Sequence, residues 1–132
     1  MKRRYPLFGI VASLILLIAG GGCNSGTTSP KELLDKYFSS AIRQEYDITY
    51  ACYYAAYKAK VSKEEYIKHR KEASLLQSYE IISLKQESDT AHAEVALIFS
   101  SSEKFKRKEP VSIRVKEDLI KENGEWKIKV WS

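Results

Sequence analysis

The fold is decided by the stretch Val111-Ser-Ile-Arg-Val-Lys-Glu-Asp-Leu-Ile-Lys-Glu-Asn-Gly-Glu-Trp-Lys-Ile-Lys-Val130. Its first half places apolar side chains on alternate residues, which predicts a strand with one covered face. Asn123-Gly124 is the strongest short signal for a two-residue hairpin turn. The alternation then resumes and predicts a final strand with three inward side chains: Trp126, Ile128 and Val130.

Two more strands are predicted upstream of this stretch. Ala91 to Phe99 alternates apolar and mostly polar residues, and Tyr79 to Glu87 is a further strand candidate. Ser88-Asp89 suits the tight turn between them, and residues 100–110 form a polar, basic loop. Four strands with short connections therefore predict an antiparallel meander.

Helices precede the strands, and two capping boxes mark where they begin. Ser29-Pro-Lys-Glu32 predicts a helix that runs to about Lys60, with a break near Asp47. Ser62-Lys-Glu-Glu65 predicts a shorter helix that ends near Ala73. Helices followed by a meander predict the α+β class, with N-terminal helices packed on one face of a curved four-stranded sheet in a cone-like arrangement.

This element order resembles the nuclear-transport-factor-2-like superfamily, and within it the small bacterial lipoproteins of unknown function. The residues that carry the resemblance are Pro30 to Leu34, Glu45-Tyr-Asp47, Ser62 to Tyr66, and Asn123 to Ile128. The resemblance implies one domain over residues 30–132. A cystatin-like arrangement of a helix on a sheet is the nearest alternative.

The N-terminal segment resembles a bacterial lipoprotein signal. A basic start, an apolar run from Leu7 to Ala19 and small residues ahead of Cys23 predict a signal peptide over residues 1–22. The resemblance implies an acylated Cys23, with residues 23–29 as a flexible tether, and a domain held on the cell membrane or outer membrane outside the cytoplasm. A plain secretory signal or an uncleaved anchor is the alternative.

The charge balance changes once the signal is set aside. The chain has 132 residues and a formal net charge of +5, but residues 1–22 carry three basic residues and no acid. The remaining 19 basic and 17 acidic residues describe a nearly neutral domain. Because export separates such a domain from nucleic acid, we expect no nucleic-acid partner.

Motifs for catalysis, metal binding or cofactor binding are absent from the sequence. It contains no Walker loop, GxGxxG, CxxC, HExxH or GxSxG, and neither His69 nor His92 has a ligand at metal-binding spacing. We therefore assign no catalytic residue, no metal and no cofactor. Cys52 is expected to be a buried, small apolar residue.

A tyrosine stripe and one carboxylate suggest a pocket. Tyr46, Tyr50, Tyr53 and Tyr57 share one face if the helix is continuous, and Glu117 is in phase with the covered side of its strand. The candidate pocket residues are Tyr50, Tyr53, Tyr57, Glu117 and Trp126. The alternatives are an ordinary core face for the tyrosines, and a bulge or strand end that turns Glu117 outward.

Two surfaces suggest partners. Lys104, Lys106, Arg107 and Lys108 form a candidate contact with an anionic surface, and a solvated hairpin loop is the alternative. Ile82, Leu84, Ile98 and Trp131 are out of phase with the covered face and favour a homodimer through the sheet.

These observations favour a membrane-anchored binding or interaction module of the bacterial envelope. Its partner would be an envelope protein, a cell-wall polymer or a small apolar ligand. A small enzyme that uses an in-cone carboxylate with tyrosines is one alternative, and a structural or assembly accessory is the other.

Overall fold

The structure, a computed structural model, describes residues 28–130. The helices in that range are α1 (Pro30–Ile42), α2 (Tyr46–Ala51), α3 (Ala55–Lys60) and α4 (Lys63–Glu72). The strands are β1 (Leu76–Glu87), β2 (Thr90–Phe99), β3 (Val111–Glu122) and β4 (Glu125–Lys129). They form one antiparallel sheet in chain order, curled but not closed, so the predicted α+β class is confirmed.

Both predicted capping boxes start helices. The Ser29 hydroxyl accepts a hydrogen bond from the Glu32 amide, and the Ser62 hydroxyl accepts one from the Glu65 amide, each at 3.1 Å. The Glu32 carboxylate reaches back one residue further than predicted, to the amide and hydroxyl of Thr28. These bonds satisfy amide groups that a helix N-terminus leaves without intrahelical partners.

The prediction of a helix that reaches Lys60 with one break near Asp47 is wrong, because the chain breaks twice. α1 ends in a Schellman turn in which Gln44 has a φ of 61° and the Glu45 amide donates to the Ser40 carbonyl. The second break lies at residues 52–54, which pair with β4. The Ile128 amide donates to the Cys52 carbonyl at 2.8 Å, and the Tyr54 amide donates to the Ile128 carbonyl at 2.9 Å. Edge pairing therefore replaces helical hydrogen bonds at this point.

The two hairpins form where the turn residues predict. Asn123 and Gly124 connect β3 to β4 with φ values of 52° and 81°, as a type I′ turn requires. β2 and β3 pair without interruption from Thr90 opposite Ile120 to Phe99 opposite Val111. The alternative of a bulge beside Glu117 is therefore wrong.

A bulge does occur in β1, and it corrects the assignment of Leu84. The register against β2 shifts between Ile81 and Ser83, so Ile82 has no partner and the alternation restarts after it. As a result Leu84 faces the core, with Ile81, instead of the outer face of the sheet. Ile82 and Ile98 are exposed on the outer face as predicted, and Trp131 lies outside the described residues.

The core lies between α1 and the inner face of the sheet. Its most buried large side chains are Leu33, Leu34, Val95, Leu119 and Trp126. α1 contributes one apolar face to this core, as the helical spacing of its leucines and aromatic residues predicts. Val130, predicted to face inward, follows the end of β4 and is exposed.

Candidate functional site

Four tyrosines from α1, α3, α4 and the segment at residues 52–54 form one cluster of contacting rings. The Tyr37 and Tyr53 hydroxyls share a hydrogen bond of 2.6 Å. The Tyr57 ring stacks on Tyr53 with 4.4 Å between ring centroids, and Tyr66 meets both rings edge-on. We call Tyr37, Tyr53, Tyr57 and Tyr66 the tyrosine cluster.

The cluster differs from the helical stripe predicted from sequence. Tyr46 and Tyr50 lie on α2, Tyr53 lies in the segment paired with β4, and Tyr57 lies on α3, so no single helix face holds them. Tyr46 is buried, and Tyr50 donates a hydrogen bond to the Val61 carbonyl at 2.7 Å. Tyr53 and Tyr57 nevertheless meet, because the turn at residues 52–54 lays Tyr53 over the sheet.

The hydroxyls of Tyr37, Tyr53 and Tyr57 remain protonated at neutral pH. Burial raises the pKa of Tyr37, Tyr53 and Tyr57 above the ordinary value. Because the charged form is disfavoured, these hydroxyls act as hydrogen-bond donors and acceptors and do not serve as bases. The Tyr66 hydroxyl is also engaged, since it donates to the Thr49 hydroxyl at 2.8 Å.

Glu117 lies on the inner face of β3, directly opposite Ala93 and in phase with Val115 and Leu119. Burial raises the pKa of its carboxyl to about 7, and the nearby charge of Asp118 adds to this effect. Within residues 28–130 no side chain donates a hydrogen bond to this carboxylate or forms an ion pair with it. Glu117 is therefore a half-buried acid that changes charge near neutral pH.

Arg70 lies in the last turn of α4. Its Nε atom is buried and has no hydrogen-bond partner among the described residues. Its positive charge acts on the Tyr37 and Tyr57 hydroxyls, opposing the effect of burial on their pKa values. Arg70 and Glu117 thus act on the same hydroxyl, that of Tyr37, with opposite charges when both are ionised.

A cleft of about 260 Å³ opens beside Arg70. Its other lining residues are Ala73, Ser74, Phe99, Val111 and Ile113. Phe99, Val111 and Ile113, at the ends of β2 and β3, supply a largely apolar wall. Arg70 carries the only full charge among the described residues of the lining. We call this space the Arg70 cleft. Such a combination suits a small ligand with an apolar body and one anionic group.

Two other predicted residues belong to the core. Trp126 is only 2% exposed and packs in the hydrophobic core, away from the Arg70 cleft. Cys52 is a buried free thiol whose pKa is raised by burial, as expected for a small apolar residue.

The four basic residues of the loop divide into two pairs. Arg107 is partly buried and donates to the Ser100 carbonyl at 2.6 Å and to the Ser74 hydroxyl at 3.2 Å. Lys104 donates to the Glu72 carbonyl at the end of α4. Lys106 and Lys108 are exposed and line an open concavity of about 540 Å³.

The sequence interpretation did not single out Arg70 or Tyr66 as site residues. A usable signal existed, because Tyr66, Arg70 and Ala73 follow i, i+4, i+7 spacing and so share one face of a short helix. The missing information was which face of α4 meets the sheet.

None of the helices in residues 28–130 is long and apolar enough to cross a membrane. The same residues contain no group of three or more His, Cys, Asp or Glu placed to hold a metal ion.

Comparisons with known proteins identify the fold and not a family. No protein-family model matches the chain, and no curated protein matches it. The solution structure of a SEC-C motif protein from Rhodopseudomonas palustris is similar, with a TM-score of 0.64 and 12% identity over 78% of this chain and 77% of that one. A SEC-C motif protein from Psychrobacter arcticus gives a TM-score of 0.60 and 11% identity over 76% of this chain and 58% of that one.

A third similar structure comes from Thiobacillus denitrificans and is assigned as a calcium/calmodulin-dependent protein kinase type II association domain. It gives a TM-score of 0.59 and 10% identity, and the match covers 83% of this chain and all (100%) of that one. At such low identity these likenesses show a shared fold of helices on a curved antiparallel sheet. They carry no information about ligand or activity.

Proposed function

We propose that the chain is a lipid-anchored binding module of the bacterial envelope, with a nuclear-transport-factor-2-like domain as its binding unit. Its ligand site is the Arg70 cleft, and its ligand is a small molecule with an apolar body and one anionic group. The single observation that carries this proposal is the position of Arg70, whose guanidinium has a buried Nε atom without a partner among the described residues, on the otherwise uncharged lining of the cleft.

The state of Arg70 supports an anionic ligand. A buried polar atom without a hydrogen bond costs on the order of 1–3 kcal/mol, and more when the group is charged. A carboxylate or phosphate can accept two parallel hydrogen bonds from a guanidinium and thereby remove that cost. The binding energy would then come largely from a group that the free protein leaves unsatisfied.

The walls of the cleft support an apolar ligand body of limited size. Phe99, Val111 and Ile113 give one apolar side, and Ile113 is exposed although it is in phase with the core residues of β3. The volume of about 260 Å³ is slightly below the range of ligand pockets, which begins at roughly 300 Å³. This favours a compact ligand over a polymer chain.

The envelope location is supported by the sequence before Cys23, which lies outside the described residues. Expression of the full chain in a bacterial host tests it by intact mass. We expect loss of residues 1–22 and a mass increase from acyl groups on Cys23, and we expect neither in Cys23→Ala. A chain that retains residues 1–22, or an unmodified Cys23, contradicts the anchoring.

The ligand site is tested with a matched pair of probes, 4-phenylbutyrate and the neutral 4-phenylbutanol. Isothermal titration uses the full chain in nanodiscs, with titrations into empty nanodiscs subtracted. We expect the acid to bind about tenfold or more tightly than the alcohol, because a hydrogen bond to a charged group contributes about 1.5–3 kcal/mol.

The control is a neighbouring cation on the same helix. Arg70→Gln should abolish the preference for the acid, whereas Lys71→Gln, at an exposed position, should leave it unchanged. Equal binding of acid and alcohol by the unmodified chain, or equal behaviour of the two variants, would count against the site.

The position of Glu117 supports a second candidate function, which is general acid–base catalysis on the inner face of the sheet. A carboxyl whose pKa is about 7 suits proton transfer at neutral pH, and protonated tyrosine hydroxyls can stabilise a developing negative charge. A carboxyl resonance of Glu117 that titrates near its ordinary value in an NMR experiment would remove this candidate, while leaving the Arg70 cleft unaffected.

A further inference from the structure

We propose that the turn at residues 102–107 is a membrane-docking tip that places the Phe105 ring in the interface of an anionic bilayer. This inference concerns a surface separate from the ligand-binding wall of the Arg70 cleft. It relies on the proposed anchoring only for bringing the domain near lipid headgroups.

The turn has a defined shape. Ser102 and Arg107 exchange two backbone hydrogen bonds, at 2.9 and 2.8 Å, and the Lys106 amide donates to the Glu103 carbonyl at 3.0 Å. Lys106 has a φ of 56°, in the left-handed region, which reverses the chain at the tip. A short closed turn of this kind presents its side chains with little loss of conformational entropy on binding.

Internal bonds hold the turn against the domain. The Arg107 guanidinium bonds the Ser74 hydroxyl and the Ser100 carbonyl, and the Lys104 ammonium bonds the end of α4 at Glu72. Arg107 and Lys104 therefore act as structural ties. The side chains of Lys106 and Lys108 remain exposed, with no hydrogen bond or ion pair to another described residue.

Phe105 is the apolar element of the tip. Its side chain is 45% exposed, and Leu75, at the same end of the sheet, is exposed to a similar degree. The Lys104 Nζ atom and the Arg107 Cζ atom lie 5.5 and 5.8 Å from the Phe105 ring centroid. The exposed ring is thus surrounded by positive charge.

Charge and apolar area together favour a lipid surface over a protein. Residues 71–72 and 103–109 contain five basic and three acidic side chains, so this end of the domain is net positive. The concavity beside Lys106 and Lys108 is also lined by Ser101, Ser102, Glu103 and Arg107, so three basic side chains outweigh one carboxylate where a headgroup phosphate would lie. One phenyl ring and one leucine supply far less apolar area than a stable protein interface needs. An aromatic ring among cations is the composition that binds the interface of anionic membranes.

Hydrogen exchange of the full chain reconstituted in nanodiscs tests the proposal, because the proposed acyl anchor on Cys23 holds the domain near the disc. Phosphatidylcholine discs are compared with discs that also contain phosphatidylglycerol. Each base near an anionic surface contributes about a fivefold gain in affinity, so Lys106 and Lys108 together should slow exchange in the tip by up to about thirtyfold. We expect this slowing at the Lys104 and Phe105 amides only in the anionic discs.

Two variants and two controls make the result specific. Phe105→Ser, and separately Lys106→Asn with Lys108→Ser, should remove the slowing. Ile98→Ser and Lys116→Ser, on the outer face of the sheet, should retain it. Unchanged exchange within β2 verifies that each variant is folded. Equal exchange in both disc types, slowing that survives Phe105→Ser, or slowing that requires added envelope protein would overturn the proposal. None of these outcomes depends on whether the Arg70 cleft binds a ligand.

Discussion

Glu117→Gln should stabilise the domain by about 2–3 kcal/mol at about pH 8 and change its stability little at about pH 4. The carboxyl has a pKa of about 7 in the folded protein against 4.5 in its ordinary state, because burial disfavours the charged form. Below pH 4.5 the carboxyl is protonated in both the folded and the unfolded chain, so Glu117 does not lower the free energy of unfolding. As the pH rises from 4.5 to 7 the unfolded chain loses the proton first, so the unmodified protein loses stability, and above 7 the loss is complete.

Urea denaturation at the two pH values measures this difference. Glu80→Gln is the matched control, because Glu80 is exposed on the outer face of β1. We expect that variant to follow the unmodified chain at both pH values. A Glu117→Gln variant no more stable than Glu80→Gln at the higher pH would show that Glu117 is solvated or paired.

The loss of stability predicted for ionised Glu117 is relevant to the function of the inner face. An ionisable group that destabilises the fold, lies on the inner face and has no partner among residues 28–130 is a feature typical of binding and catalytic sites. When ionised, Glu117 acts on the Tyr37 hydroxyl of the tyrosine cluster and adds to the rise in its pKa.

Trp126→Ala should destabilise the domain by about 3–5 kcal/mol, the range for removal of a large buried aromatic side chain. Trp126 packs in the core between α1 and the sheet. Its removal would leave a cavity there, because no neighbouring side chain replaces the lost contacts. Val130→Ala, a truncation at an exposed position just beyond the same strand, should change the free energy of unfolding by about 0.5 kcal/mol or less.

Chemical denaturation of the two variants distinguishes a core residue from a pocket residue. If Trp126→Ala cost no more than Val130→Ala, Trp126 would line an accessible space, as its place among the candidate pocket residues implies. The expected large difference in the free energy of unfolding between the two variants would show that Trp126 is a core residue and does not line a ligand site.

The features predicted correctly from sequence depend on local chemistry. Capping boxes act within four residues, Asn123-Gly124 supplies its own positive φ values, and alternation over β2 and β3 needs only one covered face. The inward position of Glu117 follows from the same alternation. These elements explain why the α+β class could be predicted from a single sequence.

The features that were missed depend on tertiary partners. The break at residues 52–54 exists because β4 offers an edge to Cys52 and Tyr54, and no local residue signals it. The bulge at Ile82 shifts the phase of Leu84 in a strand whose polar and apolar residues fit either register. The role of Arg70 required knowledge of which face of α4 meets the sheet, and that of Arg107 required the proximity of Ser74 and Ser100.

The Arg70 cleft is the proposed ligand site of the domain. Chemical-shift mapping of the full chain in nanodiscs with 4-phenylbutyrate tests it most directly. The largest shifts should fall on Arg70, Phe99 and Ile113, with little change at Ile82 and Ile98 on the outer face. Saturable shifts confined to the outer face, or none at Arg70, would contradict the account.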